Sequence, residues 1–217
     1  MPREAPRHFS MGWDVGAWHC DDNKLSKDAI AIIDNDRRMV GTPWRGNLRA
    51  VIAEAADSAQ FAARLFELCA ACGEPNAAIT LAIDAPLGFS RGFAELIAGR
   101  GWVEPGQDRT KNPYLFRETE RWLFRQGYRP LSAVQDMIGS QTTKAMHAMA
   151  KFAPSIKRCG VWTDGAGFRA FETYPTLCRA DPVVREVVAA SGEVTGDRQD
   201  ALVCAVVAWM FNGGYNC

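Results

Sequence analysis

One segment constrains the fold more than any other. Residues 77–84 form an unbroken apolar run of strand length that ends on Asp84. Such a run suits a strand covered on both faces, because neither side of it gains from meeting water. Upstream, residues 50–72 carry Val51, Ala55, Phe61, Leu65, Leu68 and Cys72 near one helical face. Asp57-Ser58 is a break and cap between two helical segments. Residues 9–16 and 29–33 read as strands, Asp34-Asn-Asp-Arg37 as a turn, and residues 38–43 as a third, edge strand that Pro43 ends. Strands joined by a short turn pair antiparallel. A helix between strands makes a crossover, so the strand ending at Asp84 is expected to lie parallel to the first.

Residues 87–160 interrupt this pattern. A helix starting at Asn112-Pro113 carries Arg117, Arg121 and Arg125 at steps of four, hence on one face. Ser132, with Gln135 three residues on, reads as the start of a helix running towards Phe152. Strand character returns over residues 161–174, with Asp164-Gly165 as a hairpin signal. Residues 181–190 read as a short helix. Residues 197–211 read as a last helix, apolar nearly all round and therefore buried. The expected layout is α/β with a mixed sheet flanked by helices, one domain over residues 1–217 carrying a helical insertion at about 87–160.

Composition excludes several classes. The chain has 217 residues, 47% hydrophobic and 23% charged, which suits one domain with a sizeable core. The longest apolar run, residues 201–211, is too short to span a bilayer. Residues 1–8 lack a hydrophobic signal core, so a cytoplasmic location is expected. Seven scattered cysteines fit reduced thiols, and the lone Cys69-Ala-Ala-Cys72 reads as one core thiol and one surface thiol. Net charge is zero, but residues 91–160 hold 12 basic and 6 acidic residues. A basic segment on an acidic scaffold is one way to hold a polyanion such as nucleic acid, with Arg117, Arg121 and Arg125 as phosphate contacts. Ordinary surface scatter explains the same balance.

Five acids close or open apolar elements. Asp14 ends the first strand, Asp84 the fourth and Glu172 the fifth, while Asp197 and Asp200 open the last helix. Each alone has an ordinary reading as a turn former, an exposed strand position or a helix cap. Together they change the weights. Ligands of open α/β sheets collect at the carboxyl ends of parallel strands. Clustered carboxylates repel, and a hard divalent cation, Mg2+ or Mn2+, removes the repulsion. Asp14, Asp84, Asp197 and Asp200 are the candidate metal ligands, and Asp14, Asp84, Glu172 and Asp200 the candidate catalytic acids.

The order of these acids and their flanking residues resembles the ribonuclease-H-like superfamily. Asp197-Arg-Gln-Asp200-Ala-Leu is similar to the start of the last helix in Holliday-junction resolvases of the RuvC type. Ile83-Asp-Ala-Pro-Leu-Gly88, Glu172-Thr-Tyr-Pro175 and Asp200-Ala-Leu202 resemble the domain-of-unknown-function family 429, which is held to consist of ribonuclease-H-like nucleases. The resemblance implies a five-stranded mixed sheet and metal-dependent phosphodiester hydrolysis, with Asp14, Asp84 and Asp200 as its acids. It leaves Glu172 either a ligand or a brace. Where resolvases carry Glu on the fourth strand, this chain has the shorter Asp84.

Two other readings compete. Actin-like and sugar-kinase-like phosphotransferases also start with an Asp-x-Gly strand and need glycine-rich turns that cradle phosphates, for which Asp14-Val-Gly16 and Asp164-Gly-Ala-Gly167 are the candidates. A non-catalytic nucleic-acid-binding module would use Trp102, Tyr114, Phe116, Trp122, Phe124 and Tyr128 as stacking surfaces, although packing onto the core also explains them, Trp122 above all. Ser-His-Asp catalysis is disfavoured, since the chain has three histidines and no G-x-S-x-G elbow.

Overall fold

The computed structural model describes residues 7–74, 77–158 and 160–214. Residues 1–6, read above for the lack of a signal core, lie outside the described residues, as do Cys159 and Cys217. Among the described residues seven strands form one sheet: β1 (His8–Asp14), β2 (Asp28–Ile33), β3 (Trp44–Gly46), β4 (Ala78–Asp84), β5 (Ser155–Arg158), β6 (Val161–Thr163) and β7 (Phe168–Glu172). Their order is β3-β2-β1-β4-β7-β6-β5. The centre, β1-β4-β7, is parallel, and the pairs on either side are antiparallel. The sheet is therefore mixed, as expected, but has seven strands rather than five.

Among the described residues the α-helices are α1 (Arg49–Glu54), α2 (Ser58–Leu68), α3 (Arg91–Ile97), α4 (Glu118–Arg125), α5 (Gly139–Phe152), α6 (Pro175–Cys178), α7 (Pro182–Ala190) and α8 (Asp197–Asn212). Two helices start on aspartate caps, the first of them expected. Asp57 accepts a hydrogen bond from the Gln60 N–H, and Asp181 accepts from Val183 and Val184. Asp164 Oδ1 accepts from the N–H groups of Ala166, Gly167 and Phe168, closing the β6–β7 hairpin at the predicted turn.

Alternation along β1 and β4 divides the core in two. Phe9, Met11 and Trp13, with Ile79, Leu81 and Ile83, pack with α2 and α5 on one face. On the other face the sheet offers small groups, Gly12 and Ala82, and α8 lies against them through Ala201, Cys204, Ala205 and Ala208. A Cβ at Gly12 would meet the Ala201 carbonyl oxygen and the Ala205 nitrogen far inside van der Waals contact, and the Cys204 Cβ at 2.7 Å. The glycine thus lets the helix backbone lie on the strand. That fit fixes the height of the first turn of α8 relative to the end of β1.

Other expectations differ from the structure, and the helix read from Asn112-Pro113 starts at Glu118. The third strand lies after Pro43, not before it, and Met39 makes only an isolated bridge to Ile33. The segment at 87–160 is not a helical insertion throughout. Ser155–Arg158 is strand β5, and α5 belongs to the main core, where Phe152 stacks on Phe61 at 4.4 Å between ring centroids. The helix expected from Ser132 begins at Gly139, because the Ser132 hydroxyl closes a local turn by accepting from Val134 and Gln135. Both sheet edges are short: β3 has three residues and follows Pro43, and β5 has four and follows Pro154. Among the described residues no helix is long and apolar enough to cross a membrane.

Candidate functional site

Asp14 and Asp84 are register partners on adjacent parallel strands. Neighbouring strands run about 4.8 Å apart, so their side chains leave the sheet side by side. Both follow by two residues the small positions that face α8, Gly12 and Ala82, so both point to the α8 side. Gly196 starts α8 at φ 61°, a conformation that favours glycine, and Asp200 follows one turn later.

The electrostatics record the crowding. Burial, then the charges of Asp84, Asp197, Asp200 and Asp28, push the Asp14 pKa up to about 9. Burial, then Asp200 and Glu172, raise Asp84 to about 7, with Arg179 opposing. Burial raises the Cys204 thiol too, and Asp84, Asp14 and Asp200 add to it. A cleft of about 390 Å³ opens over Asp14 and Asp84, walled by Pro86, Leu131, Ile138 and Leu177 and rimmed by Arg129.

The other predicted acids have partners of their own. Asp200 is paired with Arg179. Asp197 accepts from the Lys27 N–H at 2.9 Å and from Arg45 Nε at 2.7 Å, and so ties α8 to β3. Asp197 therefore acts as a tether here, while its charge still acts on Asp14. Glu172 pairs in register with Ile83, not Asp84, so it leaves the sheet on the opposite face from the two aspartates. There it accepts from the Leu87 N–H at 2.7 Å, from the Tyr174 hydroxyl at 2.7 Å and from Arg117 Nη1 at 2.8 Å. Of the two roles left open for Glu172, the geometry gives the brace.

Arg117 is likewise turned inward. Its side chain is 16% exposed and pairs with Glu172 and with Glu120, itself 1% exposed. Burial works against its charge, but the two glutamates outweigh burial and hold its pKa above the ordinary arginine value. It caps α4 rather than lying on the helix, so it does not share an outward face with Arg121 and Arg125, and its reading as a phosphate contact is corrected. Arg121 and Arg125 both approach Glu118, at 3.6 and 3.0 Å. The arginine at the aspartate cleft is Arg129, which makes no hydrogen bond or ion pair among the described residues. Trp122, expected to pack, is exposed.

Sequence reasoning also missed a buried ion pair under the site. Asp28 and Lys144 are both 0% exposed and bonded to each other. Asp28 further accepts from Trp13 Nε1 at 3.0 Å and from the N–H groups of Gly16 and Leu48, while Lys144 donates to Ala17 O and Asn47 Oδ1. The turn after β1 is thereby fixed from below. The available signal was a polar Lys27-Asp28 at the head of an apolar strand, which reads equally well as loop.

Among the described residues no three His, Cys, Asp or Glu side chains already converge as a metal-ready group. The donor chemistry of Asp14, Asp84 and Asp200 nevertheless fits a hard cation. All three offer carboxylate oxygens, their charges act on one another, and Asp200 has only to exchange Arg179 for the ion. No family model, curated protein or solved structure matches the chain, so the functional reading rests on this geometry.

Proposed function

We propose that the chain is a divalent-metal-dependent nuclease of the ribonuclease-H-like type, related to family 429. Asp14, Asp84 and Asp200 would hold Mg2+ or Mn2+. The observation that carries the reading is the pair of register-matched aspartates at the ends of two parallel strands, each with its pKa raised by burial and by other acids. The strand order β3-β2-β1-β4-β7 supports a five-stranded ribonuclease-H-like core, with β6 and β5 as additions at one edge. Bound there, the ion would supply a water acidic enough to attack phosphorus at neutral pH.

The chain's own groups have separate tasks. Asp14 and Asp84 release their protons to become ligands. Arg179 neutralises Asp200 until a cation replaces it. Arg129 at the rim would meet a phosphate oxygen, and Asp28 with Lys144 holds the turn that follows Asp14.

The phosphotransferase reading has less support. Gly16 gives its N–H to Asp28, Gly165 gives its own to Thr163, and Ala166 and Gly167 give theirs to Asp164. The N–H groups of Gly16, Gly165 and Gly167 are thus already given to side chains rather than held out to a phosphate. A binding module without turnover is the second reading, and the same experiment separates it from the first.

Manganese is expected to raise the Tm of the wild type, and Asp14→Asn/Asp84→Asn to lose that response. Manganese-dependent cleavage of a labelled oligonucleotide should fall by about two orders of magnitude or more in Asp200→Asn, the scale of removing a group that stabilises transition-state charge. An unchanged manganese shift in the double variant would refute the metal site. Oligonucleotide binding without cleavage in manganese would favour the binding module.

A further inference from the structure

A second cavity, of about 590 Å³, opens between α3 and α4, away from the aspartate cleft. Arg91, Arg100, Arg117 and Arg121 line it together with Trp102 and Phe116. Two of these arginines are committed elsewhere. Arg117 is held by Glu120 and Glu172, and Arg100 by Glu95 at 2.6 Å. Two are not. Arg91 is exposed and makes no hydrogen bond or ion pair among the described residues. Arg121 gives one Nη to Lys111 O, lies 3.6 Å from Glu118, and keeps a buried Nε donor with no acceptor. A buried donor without an acceptor costs free energy that a bound anion would return. Beside these cations Trp102 is 72% exposed, a large apolar ring in water next to an arginine-lined hollow.

We propose that this cavity is a nucleotide subsite for single-stranded nucleic acid, with a phosphate on Arg91 and Arg121 and a base stacked on Trp102. Cationic groups interleaved with an accessible aromatic ring are the combination that single strands use, because every unpaired base offers a flat face. A duplex hides its base faces and presents phosphates on a convex surface, which a hollow of this size cannot receive. The carboxylates of Glu95 and Glu118 also line the cavity, so the ligand must reach the arginines rather than the rim as a whole. Arg117 walls this cavity on one side while its guanidinium holds Glu172 at the end of β7. The subsite rests on the nucleic-acid reading above for its ligand class, but not on hydrolysis.

The test is fluorescence anisotropy in EDTA with a labelled eight-nucleotide single strand, its duplex, and a mononucleotide, so that binding is read without cleavage. Arg91→Ala and Arg121→Ala are each expected to weaken the single strand about tenfold and to make the salt slope shallower by about 0.7. Trp102→Ala should weaken it about tenfold, and Trp102→Phe should keep most of the affinity. Cleavage is not read in this experiment, so its loss alone leaves the subsite standing. Binding within twofold of wild type in all three alanine variants would overturn the proposal. Equal affinity for the duplex would overturn the single-strand assignment, and a mononucleotide binding as tightly as the strand would replace the strand with a free nucleotide.

Discussion

At Asp14 the ordinary preference of a carboxylate for its ionised form is reversed. The folded chain keeps the proton up to about pH 9, whereas an unfolded aspartate loses it near pH 4. Between those values the folded state binds more protons than the unfolded one, so the contribution of this residue to stability falls as pH rises. Asp84, at about 7, adds to the same trend over a lower window. Without metal, Asp14→Asn is therefore expected to be more stable than wild type at pH 8 by at least about 1 kcal/mol, or about 2–4 °C in Tm, with the gain vanishing near pH 4. Thermal melts at both pH values in EDTA check this, and a variant that is less stable at pH 8 would contradict the crowded cluster. Because ligation displaces protons, stabilisation by manganese should also grow from pH 6 to pH 9. These two aspartates were legible in the sequence, since each closes an apolar strand where a charge is costly. Glu172 and Arg117 were legible as charged groups but not as partners. Which face Glu172 takes depends on a one-residue register between β4 and β7 that no local pattern encodes.

Among the elements, α8 decides whether the site assembles. It rests on β1 without intervening side chains at Gly12, and its first turn brings Asp200 to the strand ends. Gly12→Ala is expected to cost about 1–3 kcal/mol through overpacking and to weaken the manganese response by displacing that turn. Chemical denaturation with a parallel manganese titration checks both, and a variant of wild-type stability would mean that the close approach matters little. Elements with strong periodicity and a cap were legible: α2 behind Asp57, α7 behind Asp181 and the β6–β7 hairpin at Asp164. Elements set by distant partners were not. The turn at Ser132 satisfies its own hydroxyl and delays α5 to Gly139, and β5 exists only because β6 offers it an edge. Cys69 and Cys72 are one core thiol and one surface thiol, as expected, but α2 ends at Leu68, before both, so the helical face read through Cys72 does not extend to it.

Across the whole molecule, the Asp28–Lys144 pair ties the sheet to α5 and to the turns at Gly16 and Leu48. Burial raises the Asp28 pKa and Lys144 opposes the rise. Removing one member leaves the other charged in an apolar interior. Lys144→Met is thus expected to cost about 3–5 kcal/mol, and Asp28→Asn/Lys144→Met distinctly less than the sum of the two single variants. Urea unfolding of the three variants checks this, and additive costs would show that the two groups act independently. No sequence pattern announced the pair, because its members lie 116 positions apart and each reads as surface. The short outer strands have a consequence of a different kind. A long open strand invites another chain to add to it, and sheets that grow in this way end as fibres. Here both rims are three or four residues long and each follows a proline, and Arg45 lies on one of them. A seven-stranded sheet with such rims has little length on which a second molecule could template, and concentrated solutions of the chain should resist strand-to-strand polymerisation.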